Sequence, residues 1–500
     1  MTDATPPVPS PTSAKPRKIK PPRGTRDLYP AEAARRRWLM ERWREVSIRH
    51  GFEEVDGPTY ENADLYAVKS GEGILGELFQ AFSGKSPEEV ERVKRDGRAP
   101  YALRPEFTPT LARMYAAKAN TLPKPSKWFM AGPFFRAERP QRGRLREFLQ
   151  WNVDVLGLDV PQEKWYAEDA ESRAEVAEAK ARMDGEVIGV LIGFLELLGF
   201  TPDDVQIKFN SRHIVDNRMN QVGVAPERRN EVLALLDSVP KADEKTILNR
   251  AAELGLTKEK LQRLLETPAV SGNVMVGSVD VFDCIDELLD NIPIENAADW
   301  LLYHPAIVRG LAYYTGTVFE VIADGERAVA GGGRYDNLIE LFGGPPTPAV
   351  GFAMGDVVLS LLLQDKGLMP SDDELLGLVG QHPDVFVLAE ENNEEAEAKV
   401  RPVVAMLRRG PGGREAHPTD AVGGLHVRHS YKATKKVDKL LAEAKKQHAR
   451  FAVIIEGAES CVVKDLRTGT QWPAPLALDA LHAKLMAELD HSKSCAPRPS

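Results

Sequence analysis

The chain has 500 residues, 43% of them hydrophobic, enough to bury more than one core, so two or three domains are expected. Its 65 Lys and Arg against 74 Asp and Glu leave a formal net charge of -9, which excludes a protein coated throughout in nucleic acid but allows a local basic face. Three cysteines far apart (Cys284, Cys461, Cys495) argue against a disulfide framework or a Cys-x-x-Cys zinc site and fit a reducing cytoplasm.

Residues 1–23 are rich in proline and serine and carry Lys15, Arg17, Lys18, Lys20 and Arg23, so a disordered basic tail is predicted. Pro30 can open a helix, Leu39, Trp43 and Val46 follow at helical spacing, and Gly51 closes it. The stretch FEEVDGP reads as a strand ending at Pro58. KWFMAGPFFRAER and EFLQWNVDVLG form a hairpin around the basic loop PQRGRLR. Side chains alternate along a strand, so Leu149, Trp151, Val153 and Val155 share one face and Gln150, Asn152 and Asp154 the other. With Arg136 on the partner strand, that polar row reads as a ligand floor.

Residues 159–183 are charge-rich with a helical pattern and read as an exposed excursion. The longest apolar run, Val187 to Phe200, contains Glu196 and is too short to span a bilayer, so a buried helix and no membrane partner are expected. No apolar signal-peptide core is seen at the N-terminus. A helical block over about 212–302 lies between strand-rich parts and reads as an inserted subdomain. Strand pattern returns in VRGLAYYTGTVFEVI and AVAGGGRYDNLIELFGG, and a linker is predicted near 364–383. Alternating elements then predict a small α/β domain over 384–490, followed by a tail at 491–500. Between Leu425 and Arg450 it has eight Lys or Arg against Asp438 and Glu443, an electrostatic footprint suited to RNA.

SGKS at Ser83–Ser86 fails as a phosphate loop, because Phe79 stands where the first glycine is required. His426 and His429 fall on opposite faces of a predicted strand and cannot share a metal, and no metal site is expected. The glycines of AGGGRYD are weak evidence alone. They gain weight beside Arg309, Arg136 and the loop arginines, whose planar forks match phosphate and carboxylate oxygens.

After residue 23 these pieces together resemble the histidyl-tRNA synthetase family, class II aminoacyl-tRNA synthetases. PPRGTRDLYP is similar to the family's start, Pro58 to its motif 1 proline, LRPEFTPTLARM to its histidine-binding segment, and FFRAERPQRGRLREFLQ to motif 2. NSR (Asn210–Arg212), VRGLAYYTGTVFEV, GGGRYDNLIELFGGPPTPAVGFAMG and RFAVIIEG with VVKDLRTG continue the likeness in order. The resemblance implies an α+β fold: a class II antiparallel sheet core with helices over 24–365, the inserted helical subdomain, and a C-terminal α/β anticodon-binding domain. It implies a cytoplasmic, homodimeric ligase that joins L-histidine to tRNA(His) through an adenylate, using ATP with Mg2+.

Residue roles follow from the same resemblance. Arg136 and Arg309 would be catalytic, holding the α-phosphate and the amino-acid carboxylate. Glu106, Phe107, Thr108, Gln150, Asp154, Tyr313 and Tyr314 would form the histidine site. Glu138 and Arg144 would join the two arginines on ATP, and Arg139, Gln141 and Arg142 would meet the tRNA acceptor end. Pairing both imidazole nitrogens would reject isosteres, since a buried polar group left unpaired is costly.

Two departures stand out. Ala312 replaces an acid before the tyrosine pair. In GFAMGDVVLSLLL the motif 3 arginine is missing: aligned without gaps its place is Val358, and from Gly343 to Met369 the only basic residue is Lys366. The gap fits a second reading, a catalytically silent paralogue serving as a regulatory subunit of ATP phosphoribosyltransferase, or an RNA-binding regulator. Such paralogues lack the anticodon domain and the histidine motifs, both present here, which favours the enzyme. If the chain is active, Mg2+ and an arginine of the motif 2 loop take over the β- and γ-phosphates. Replacing Arg139, Arg142 or Arg144 then raises the ATP KM in steady-state kinetics; unchanged ATP kinetics in all three variants contradicts this compensation.

Overall fold

The computed structural model describes residues 19–70, 76–165, 167–239, 242–266, 269–271, 274–276, 288–308, 314–323, 328–410, 423–432 and 436–495. Most of the predicted tail, residues 1–18, lies outside them, as do Arg309, Ala312 and Tyr313. The chain divides into two compact units, Met1–Leu28 with Leu39–Pro370, and Tyr29–Trp38 with Ser371–Ser500.

The first unit is built on an eight-stranded sheet in the order Glu53–Glu54, Ser126–Phe135, Glu147–Leu156, Ala349–Gly355, Ala330–Arg334, Thr317–Ile322, Gln206–Ser211, Leu301–Tyr303. The inner pairings are antiparallel and the two edge strands pair in parallel, as an α+β fold with an antiparallel core requires. Alternation sorts the faces. Leu149, Trp151, Val153 and Val155 are buried. Trp151 lies with its ring 5.0 Å from Phe194 and 6.1 Å from Trp43, and its Nε1 donates to Ser47 Oγ at 3.0 Å. The indole thus buries its area while its one polar atom is satisfied.

Residues 159–183 are not an exposed excursion. A single helix, Ala170–Leu197, begins at the Asp169 cap and continues through the apolar run. Its charged residues occupy the solvated face, while Val176, Ala179, Met183 and Asp184 are buried. Asp184 is the reason the segment belongs to the core. It accepts from Arg334 Nη2 at 2.5 Å and from Thr317 Oγ1 at 2.7 Å. Arg334 Nη1 reaches Asp336 at 3.1 Å, and Lys180 Nζ donates to the same carboxylate at 2.8 Å. Burial pushes Asp336 up, but Arg334 and Lys180 outweigh it and hold the carboxyl below its ordinary range.

Helices Arg212–Gln221, Arg229–Ser238, Glu244–Glu253 and Lys258–Leu264 pack around Met219, Leu235, Leu236, Ala251 and Leu261 in a core that continues into Ile307, Val308 and Val318 of the sheet side. Three short strands, Tyr60–Asn62, Tyr101–Leu103 and Gln80–Ala81, form a separate sheet.

The second unit has a five-stranded sheet ordered Val427–His429, Val385–Ala389, Phe451–Ile455, Ser460–Asp465, Leu476–Ala477. Its first three strands are parallel, with helices Glu394–Arg409 and Val437–Lys446 as the connecting layers. The predicted linker is not structureless: helix Asp356–Asp365 ends in it, and helix Asp372–Leu378 follows with a Ser371–Glu374 capping box.

The Arg334–Asp184 pair is buried on both sides, so removing one partner strands a charge. Asp184→Ala is expected to lower the urea-unfolding free energy of this unit by roughly 3–5 kcal/mol. A loss below about 1 kcal/mol would place the pair among exposed bridges instead.

Candidate active site

The face of the sheet opposite Trp151 opens into a cavity of about 950 Å³. Its floor is the strand Glu147–Leu156, flanked by Ser126–Phe135 and Ala349–Gly355. Eight of the residues singled out from the sequence line it: Glu106, Thr108, Arg136, Glu138, Arg144, Gln150, Asp154 and Tyr314.

Gln150 and Asp154 lie on one face with Asn152 between them, all three buried. Gln150 Nε2 donates to Asn152 Oδ1 at 2.8 Å, which fixes the orientation of the Gln150 amide. Asp154 accepts a short hydrogen bond from the hydroxyl of Tyr335. Space for this carboxylate comes from Gly351 on the neighbouring strand, where a Cβ would stand 2.1 Å from Asp154 Oδ1. The first glycine of GFAMG therefore makes room for an acid and does not cradle a phosphate. Gly333 does the same for Tyr314, since a Cβ there would meet the phenol ring at 2.9 Å.

Arg136 is held from two sides. Its Nε donates to the Pro105 carbonyl at 3.1 Å, and its guanidinium lies 5.1 Å from the centre of the Phe148 ring. Phe148 also lines the cavity, so an aromatic face stands beside the cation. Arg144 Nη1 pairs with Glu138 at 2.6 Å. Reciprocal backbone bonds between Gln141 and Arg144 close the loop tip and leave Arg139, Gln141 and Arg142 exposed, off the cavity wall. Arg142 reaches Asp365 at 3.5 Å.

Phe107 does not line the cavity; it is buried with Leu111, Tyr115 and Phe134, in a cluster with Trp128 and Met130, which pair with Asp154 and Asn152 and so share their face of the sheet. Arg309 and Tyr313 lie outside the described residues. Val357 and Val358 are on the wall, where the missing arginine would stand. Just before them Asp356 accepts from Leu149 N at 2.8 Å and pairs with Arg26 Nη2 at 2.8 Å. A cation from the GTRD segment is thus tied to the start of this helix, a juxtaposition no sequence spacing reveals.

Tyr335, Phe148, Lys208 and Glu320 line the cavity without having been singled out from the sequence. Tyr335 sits in GGGRYD, so it had a visible signal, and Asn152, read as part of the ligand floor, is buried in the strand and does not line the cavity. Lys208 and Glu320 face each other in register on adjacent strands and line the far end with His304. Burial, then Lys208, holds the His304 imidazole below its ordinary range, which leaves it neutral at pH 7.

A family model described as histidyl-tRNA synthetase matches residues 24–167 and 174–356. The chain is 38% identical over 364 residues to the histidine--tRNA ligase of Haloarcula marismortui, spanning 70% of this chain and 76% of that protein. It is 30% identical over 474 residues to the histidine--tRNA ligase of Pyrococcus horikoshii, spanning 91% and 96%. A crystal structure of histidyl-tRNA synthetase from a Nostoc species has a similar fold, with a TM-score of 0.65 at 20% identity, covering 95% of this chain and all of that one.

Proposed function

The chain belongs to the histidyl-tRNA synthetase family and charges tRNA with histidine; on that premise we propose how its own residues carry out the reaction. The observation that carries the assignment of roles is that buried Gln150 and Asp154, on one face of the strand, open into one cavity with Arg136 and Tyr314. A carboxylate and a phenol on the same wall offer partners to the two nitrogens of an imidazole. Tyr335 orients that carboxylate, and Glu106, Thr108 and Gln150 supply oxygens for an α-ammonium group.

ATP is read as lying over Phe148, with the adenine on its ring and the α-phosphate at Arg136. Arg309 joins Arg136 there by family resemblance. The histidine carboxylate oxygen attacks the α-phosphorus, a P–O bond forms, and the bond to pyrophosphate breaks. No enzyme nucleophile is used; the two arginines stabilise charge that grows on the phosphorus oxygens. The terminal ribose hydroxyl of tRNA(His) then attacks the acyl carbon, giving histidyl-tRNA and AMP. ATP enters as its Mg2+ complex, and the oxygen donors Glu106, Glu138 and Glu320 on the wall are of the kind Mg2+ takes. Arg144 shares the cavity with Val357 and Val358, and Arg26 is paired with Asp356 beside them, so these cations are the candidates for the role of the absent motif 3 arginine.

Exposed Arg139, Gln141 and Arg142 are suited to the phosphates of the tRNA acceptor end. In the second unit Tyr431 is 90% exposed with its ring 4.6 Å from His429, next to Lys432, a surface on which unpaired anticodon bases could stack. A homodimer is supported by the exposed Tyr60 and Tyr101 on the small three-stranded sheet, with exposed Phe82 just after its third strand and Tyr60 two residues from the motif 1 proline Pro58. Among the described residues no helix is long and apolar enough to cross a membrane.

Aminoacylation of tRNA(His) by purified protein tests these roles. Asp154→Ala is expected to raise the histidine KM by roughly 10- to 100-fold, the worth of one lost charged hydrogen bond, with the ATP KM within about threefold. Tyr335→Phe moves it the same way but by less than about tenfold. A histidine KM unchanged within twofold in Asp154→Ala would remove that residue from the imidazole site.

A further inference from the structure

Away from the cavity, the second unit gathers three ligand-type side chains from segments far apart in sequence. Asp373 stands in the first turn of helix Asp372–Leu378, His382 on the way into strand Val385–Ala389, and His448 just beyond helix Val437–Lys446. Asp373 Oδ1 lies 3.2 Å from His382 Nε2 and 2.9 Å from His448 Nε2. The ligand atoms of the three residues all fall within 4.8 Å of one another.

Two further observations bear on what this cluster does. His382 Nε2 is buried and has no hydrogen-bond partner, although the carboxylate is close: the distance is right and the alignment is not. A buried ring nitrogen left so is costly unless something else takes its lone pair. His448 has a positive φ of 55°, a left-handed conformation that non-glycine residues seldom adopt, and this turn brings its ring over that of His382. The backbone of His382 is fixed independently, since its carbonyl meets His426 Nδ1 at 3.0 Å. Arg428, on the neighbouring strand, is committed to the Gln381 carbonyl at 3.0 Å and His426 Nε2 at 3.2 Å.

We propose that Asp373, His382 and His448 form a site for a divalent ion of the zinc class on the second unit. Two imidazoles and one carboxylate suit Zn2+, Co2+ or Ni2+ and not Mg2+ or Ca2+, which take oxygen ligands. Three protein ligands leave one position of a tetrahedron for water. Metal–nitrogen bonds of about 2.0–2.1 Å require the two rings to turn toward a common point. They are now stacked with 15° between their planes. Asp373 and His448 are half exposed and have room for that adjustment. Bound there, the ion would clip the helix after the catalytic unit to the end of the basic helix, a structural role separate from catalysis.

The test uses the full chain without a histidine tag, stripped with chelator and titrated with Zn2+ alone by calorimetry, with bound metal measured after dialysis. One Zn2+ per chain in the micromolar range or tighter is expected, with a rise in Tm that Mg2+ does not produce. Asp373→Ala and His448→Ala should each weaken Zn2+ binding at least tenfold and abolish the rise, while melting like the parent in metal-free buffer. His213→Ala, an exposed histidine of the first unit, should leave affinity unchanged. Zn2+ affinity within twofold of the parent in both cluster variants, an equal loss in His213→Ala, or no stoichiometric binding to the parent would overturn the site.

Discussion

The register of the strand Glu147–Leu156 between its two neighbours is the constraint on which the rest of the catalytic unit depends. Side chains alternate across a strand, so a slip of one residue would turn Trp151, Val153 and Val155 into the cavity and bury Gln150, Asn152 and Asp154 against the Ala170–Leu197 helix. Seven paired positions with Ala349–Gly355 and ten with Ser126–Phe135 hold it in place. The Trp151 indole adds a lock, since its Nε1 finds Ser47 only in this register. One face is apolar because it must be dry. The other can be polar because its groups pair along it, Gln150 with Asn152 and Asp154 with Tyr335.

Polar burial on this scale needs support from outside the strand. Asp154 depends on Tyr335 for orientation and on Gly351 for space, and Tyr335 follows directly on Arg334 of the buried ion network. That network joins the sheet to the long helix through Asp184 and Lys180, so strand, site tyrosine and helix are fixed together. A buried pair of this kind contributes little net stability, yet breaking it is costly. Its present role is to hold the end of the Ala330–Arg334 strand in one place.

Much of this was legible in the residues. The hairpin, its polar row, the buried helix after Val187 and the α/β character of the C-terminal unit all follow from periodicity and turn chemistry. The family likeness placed Arg136, Glu138, Gln150 and Asp154, and the structure gathers them on one cavity. Other features depend on contacts between residues far apart in the chain, which periodicity does not encode. The Arg26–Asp356 pair joins positions 330 residues apart. The 159–183 segment reads as exposed because it is charge-rich and most of its apolar residues are alanines, although Val176, Ala179 and Met183 keep helical spacing. Helix Asp372–Leu378 carries a signal in its residues, the Ser371–Glu374 capping box. The first glycine of GFAMG marks a close approach without saying of what; here it is Asp154.

In the proposed reaction this cavity activates histidine without a motif 3 arginine. ATP–pyrophosphate exchange, run with each of the twenty amino acids, tests it most directly. The account predicts exchange that depends on histidine and falls by at least about 100-fold in Arg136→Ala, the usual cost of losing a preorganised charge at the reacting phosphate. No exchange with any amino acid would contradict it.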